Sequence, residues 1–119
     1  MKELHMDIES FATVDLNKAG VYRYAEDPEF SILLVGVSED GGPVRVYDLV
    51  QGERLPKRIV EALLDDRVVK FAHNAAFERI CFSRFLWDCG LLPKSKFLDP
   101  VSWRCTMVWS AYAGLPLSW

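Results

Sequence analysis

No apolar run in this 119-residue chain approaches the length that spans a bilayer, which argues against a transmembrane helix. The opening "MKELHMDIES" is too acidic and too poor in apolar residues for a secretory leader, so a cytoplasmic location with no membrane partner is expected. Cysteine is scarce. Cys81, Cys89 and Cys105 are odd in number and lack zinc-like spacing, which argues against a disulfide framework or a zinc site and for buried, reduced thiols. Basic residues are sparse in the first half. Residues 1–53 hold 4 Lys/Arg against 11 Asp/Glu, whereas residues 54–119 hold 10 against 6. A protein that coats nucleic acid would be basic throughout, so that class is disfavoured, while an acidic, cation-binding site with a basic flank is not. Repeats, low-complexity segments and linkers are absent, and residues 1–119 read as a single domain large enough to bury a core.

What is present is an alternation of strands and helices. "LHMDIES" places Leu4, Met6 and Ile8 on one face and His5, Asp7 and Glu9 on the other, the period of a strand. Residues 10–29 read as an irregular excursion with a short strand at "VYRYA". "FSILLVGVS" is an apolar strand, and the glycine pair at 41–42 turns it into a hairpin partner, "VRVYDL". "LPKRIVEALLDD" carries Pro56 near a first helical position and spaces Ile59, Ala62 and Leu63 as a helix does. "RVVKFA" suits a strand covered on both faces. Asn74 stands where an N-cap belongs and opens a helix through about Asp88, ended by "CGLLP". A loop over 93–100, with Asp99 as a cap, leads into a short strand at Trp103–Cys105 and a last helix stopped by Gly114 and Pro116. The expected fold is α/β: an antiparallel three-strand meander plus a strand linked by a crossover helix, with helices on the faces.

Three carboxylates stand out. Asp7 and Glu9 project from one face of the first strand, with roughly 7 Å between their Cα atoms. That strand is expected to be central and so covered on both sides, and a covered acid pair needs a cation. Glu78 borders the apolar stripe of Phe77, Cys81 and Phe85, and no Lys or Arg occupies the helical positions three or four residues away. The competing reading places Glu78 on the exposed flank beside Arg79, as the competing reading of Asp7 and Glu9 is a solvated strand face. Oxygen ligands of this kind suit hard divalent cations. His5 shares the acids' face, whereas His73, just before the cap, reads as structural.

The order and spacing of these residues resemble a known family. "DIES" is similar to the first motif, D-x-E, of the DEDD-type 3′–5′ exonucleases, and "HNAAFE" (73–78) is similar to their second. Essentially the whole chain resembles the start of the proofreading exonuclease domain of phage-type family A DNA polymerases. The resemblance implies an RNase H-like fold and metal-dependent removal of nucleotides from the 3′ end of single-stranded DNA. It implies that Asp7, Glu9 and Glu78 hold two Mg²⁺ or Mn²⁺ ions, that Ser10 and Phe11 approach the terminal nucleotide, and that Asn74 and Phe77 set the second helix and its contacts with the substrate strand. This chain departs from the family in having Glu78 where Asp is usual. The family's third motif, a fourth carboxylate preceded by Tyr or His, is not found, so weakened metal binding and low activity are expected. Trp103, Trp109 and Trp119 crowd an apolar C-terminus that reads as an unfinished domain, suited to meeting a polymerase domain or a second copy of the chain. Two alternatives stand beside this reading: a non-catalytic nucleic-acid or partner-binding remnant of a prophage polymerase whose acids hold one cation, and a related enzyme acting on RNA.

Overall fold

The computed structural model describes residues 1–106. Its elements are β1 (Glu3–Phe11), α1 (Leu16–Ala19), α2 (Val21–Glu26), β2 (Ser31–Glu39), β3 (Arg45–Asp48), α3 (Lys57–Leu64), β4 (Val69–Ala72), α4 (Ala75–Asp88) and β5 (Trp103–Cys105), with a 3₁₀ turn at Pro100–Ser102 before β5. The five strands lie in the order β3-β2-β1-β4-β5. The β1–β2 and β2–β3 pairs are antiparallel, and the β1–β4 and β4–β5 pairs are parallel. The mixed α/β sheet with β1 at its centre is as expected, and so is the short strand at Trp103–Cys105. The expected final helix, with its stop at Gly114 and Pro116, lies outside the described residues, as do Trp109 and Trp119.

The helices α3 and α4 follow from the connections. The crossovers from β3 to β4 and from β4 to β5 both step in the same direction across the sheet, so one handedness puts both helices on the same face. Ile59 and Leu63 of α3 and Phe82 and Leu86 of α4 indeed join Leu4, Met6, Val35 and Val37 in one buried cluster. Helix α4 is held at both ends by its sequence. The Asn74 side chain accepts a hydrogen bond from Phe77 N–H, and Gly90, at φ 74°, closes a left-handed C-terminal turn in which Leu91 N–H bonds back to Leu86 C=O at 2.9 Å.

Three expectations are corrected here. "VYRYA" is helix, not strand: Val21, Tyr24 and Ala25 also fit a helical spacing, and Tyr24 and Ala25 turn inward. The sheet is not covered on both faces by the described residues, since the helices pack against the Leu4–Met6 side and the His5–Asp7–Glu9 side is open. The cysteines are free but not uniformly buried, Cys81 being buried, Cys105 partly so and Cys89 exposed. Burial pushes the Cys81 thiol far above its ordinary range.

The excursion after β1 is anchored by Asp27. This buried carboxylate accepts hydrogen bonds from Thr13 N–H, Thr13 Oγ1, Val14 N–H and Glu29 N–H. Those donors, the Thr13 hydroxyl foremost, hold its carboxyl down to about 2. A lowered folded-state value means stability that is present above the unfolded carboxyl's titration and lost as pH falls towards about 2. Asp27→Asn, which puts an NH₂ group among those donors, is expected to lower the melting temperature at pH 7 and to flatten its fall below about pH 4 in an acid melting series.

Candidate metal and nucleic-acid site

Strand alternation sets the stage. His5, Asp7 and Glu9 point to the open face of the sheet, whereas Leu4, Met6, Ile8 and Ser10 face the helices. The open face forms a hollow of about 490 Å³ lined by His5, Asp7, Glu9, Val46, Phe71 and His73. Both carboxylates there are exposed. The premise that this pair is covered and therefore demands a cation does not hold among the described residues. His5 stacks on Phe71 with ring centroids 4.6 Å apart, and its Nε2 lies 3.5 Å from a Glu3 carboxylate oxygen. His73 C=O accepts a hydrogen bond from Cys105 Sγ at 3.0 Å.

Glu78 behaves differently. It sits in the first turn of α4, directly after the turn that leaves β4, and it is only 5% exposed. The exposed-flank reading of Glu78 is thereby excluded. Its Oε2 is buried with no hydrogen-bond partner, a costly arrangement for a polar atom. Burial pushes its carboxyl up to about 7, and the negative charge of Asp7 pushes the same way. A hydrogen bond from its own backbone N–H works against that rise. The helix N-terminus favours an anion at this position as well. Asp7 and Glu78 therefore feel each other, although they belong to different layers. Among the described residues, no three of His, Cys, Asp and Glu converge as a ready metal cage.

The other expected site residues lie close by. Asn74 is the helix cap, and Phe77 packs against the core, as their structural readings required. The Ser10 hydroxyl is 2.9 Å from the Tyr24 hydroxyl, and Phe11 is half exposed. Asp99 caps the 3₁₀ turn by accepting from Val101 N–H at 2.8 Å, as expected. Sequence reasoning missed Tyr24 because it lay in the segment read as a strand. The i, i+3, i+4 spacing of Val21, Tyr24 and Ala25 was the available signal.

In chemical type, though not as a converged cage, these donors suit a hard divalent cation. They offer oxygen ligands, and the buried, unpartnered Glu78 Oε2 is the kind of atom a cation would satisfy.

Over 116 residues the chain is 45% identical to the DNA polymerase of Bacillus phage SP02, a match that takes in 98% of this chain and 17% of that protein. The chain thus spans about a sixth of that polymerase's length and is related to one segment of it. No protein-family profile and no solved structure matches the chain. Among the described residues no helix is long and apolar enough to cross a membrane.

Proposed function

We propose that this chain is a 3′–5′ exonuclease domain of the polymerase proofreading type, with an RNase H-like fold, acting on the 3′ ends of single-stranded DNA. The observation that carries the reading is the buried Glu78 carboxyl, whose Oε2 has no partner and which feels the charge of Asp7. Relationship to a segment of a phage DNA polymerase supports it, as does the resemblance of "DIES" and "HNAAFE" to the exonuclease motifs.

In this reading Asp7, Glu9 and Glu78 hold Mg²⁺ or Mn²⁺. Cations held there would supply an activated water and stabilisation of the leaving oxygen of the phosphodiester. The chain's own residues do the rest. Asp7 and Glu9 present negative charge on an open, accessible face, where a nucleic-acid backbone brings the opposite requirement: its phosphates approach two carboxylates only with a cation between them. Glu78, whose carboxyl burial raises to about 7, would have to give up its proton to bind a cation. The half-exposed Phe11 beside the acids offers a ring on which a terminal base stacks.

A second reading is favoured by one observation. Asp7 and Glu9 stand on the open face while Glu78 is buried in the helical layer, without a three-ligand cage among the described residues. That arrangement suits a single cation in a domain that binds DNA or a partner without cutting it. Calorimetric titration of the chain with Mn²⁺, beside Asp7→Ala and with a 3′-labelled single strand in parallel, separates the two. Metal binding that Asp7→Ala weakens, with shortening from the 3′ end, supports the exonuclease. Such binding without shortening supports the second reading, and no binding overturns both.

A further inference from the structure

Tyr24 stands at the junction of the two acid-bearing elements. Its hydroxyl is 2.9 Å from the hydroxyl of Ser10, the residue after Glu9. Its ring lies 5.8 Å from the ring of Phe77, the residue before Glu78, and meets Phe30 edge-on at 5.7 Å. Tyr24 itself is buried, on a helix that packs against α4. The β1–β2 register slips between Glu9 and Ser10, where Glu9 pairs with Leu34 but Ser10 pairs with Ile32. The extra residue is Leu33 of β2, and at such a bulge the ladder is locally disrupted, so side-chain contacts help to set where the end of β1 points.

We propose that Tyr24 is a positioning residue for the acidic site, setting where the Glu9 end of β1 stands relative to the Glu78 turn of α4. This rests on the metal-site reading above. Ser10 faces the helices while Glu9 faces the open side, so the Tyr24–Ser10 hydrogen bond acts on Glu9 through the backbone rather than by contact with a cation. On the other flank, the Tyr24 ring braces Phe77, whose backbone N–H is tied to the Asn74 cap at 3.4 Å. One side chain thereby couples the neighbour of each acid. Losing the hydroxyl leaves the ring packing intact but frees the end of β1 opposite the β2 bulge.

The test is Mn²⁺ calorimetry on the full chain, with thermal melting in metal-free buffer, for the wild type, Tyr24→Phe, Ser10→Ala, Ser10→Thr, the Tyr24→Phe/Ser10→Ala double variant and Glu78→Gln. One hydrogen bond's contribution corresponds to a loss of affinity of roughly three- to tenfold for Tyr24→Phe and for Ser10→Ala. The double variant is expected to lose no more than either single one, because both remove the same bond. Ser10→Thr, which keeps the hydroxyl, is expected to retain wild-type affinity. Wild-type binding that depends on Glu78 but is unchanged in Tyr24→Phe and Ser10→Ala overturns the positioning role and leaves the metal site standing, whatever happens to the melting temperatures. Absence of Glu78-dependent binding in the wild type overturns the three-acid site and the positioning role with it.

Discussion

Glu78→Gln will stabilise the metal-free chain at pH 8 and remove most of the loss of stability that the wild type suffers between about pH 4.5 and 7. The sign follows from the raised carboxyl. Over that interval the folded state holds a proton that the unfolded chain has released, so raising the pH favours unfolding until the folded carboxyl has also titrated. The contribution is complete below the unfolded carboxyl's range and is lost as pH rises through about 7. A shift from 4.5 to about 7 corresponds to an effect on the order of 3 kcal/mol at pH 8. Glutamine keeps the shape and carries no charge at any pH, so its melting curve should be nearly flat across the interval. Melting the two proteins in chelator-treated buffers from pH 5 to pH 8 checks this. Parallel curves for both would mean that Glu78 is not the group that burial perturbs.

The second large effect is on metal and catalysis. Asp7→Ala and Glu9→Ala change exposed residues, so their metal-free stability should stay within about 0.5 kcal/mol of the wild type. Their Mn²⁺ binding should nevertheless collapse, and any shortening of a 3′-labelled strand should fall by roughly a hundredfold or more, about 3 kcal/mol of barrier. Chelation with EDTA should abolish the shortening outright. Wild-type affinity for Mn²⁺ should rise by up to about tenfold per pH unit below about 7 and level off above it, because Glu78 must release its proton to become a ligand. Glu78→Gln should lose both the affinity and that dependence. An affinity independent of pH would place the cation on Asp7 and Glu9 alone and favour the binding-only reading.

Much of this architecture was legible from local chemistry. The β1 alternation, the Gly41–Gly42 hairpin and the Asn74 cap each express a preference that operates within a few residues, and each appears where the sequence puts it. The "VYRYA" segment failed for the converse reason. Five residues carry too few repeats to separate a period of two from one of 3.6, and burial against α4 decided the outcome. The acids divide in the same way. Their presence on β1 and α4 was readable, and so was the lack of a helical partner for Glu78. Which layers are covered is a property of the assembled sheet, so the exposure of Asp7 and Glu9 and the burial of Glu78 reversed the expected emphasis. Lys70 was not anticipated at all. A lysine in "VVKFA" reads as an outward residue, yet it is fully buried because two acceptors wait at the far end of its stem.

That lysine bears on how the sheet comes apart. Lys70 Nζ donates to the Asp65 carbonyl at the end of α3, at 2.6 Å, and to Ser102 Oγ, at 3.0 Å, immediately before β5. A three-residue strand at a sheet margin would ordinarily fray long before the interior opens. Here, peeling β5 away strips an acceptor from an ammonium group in the interior, whose charge burial already disfavours. Departure of the margin is thus coupled to exposure of the middle. The slow-exchanging amides of this protein should therefore include those of residues 103–105, opening together with β4 in one cooperative unit.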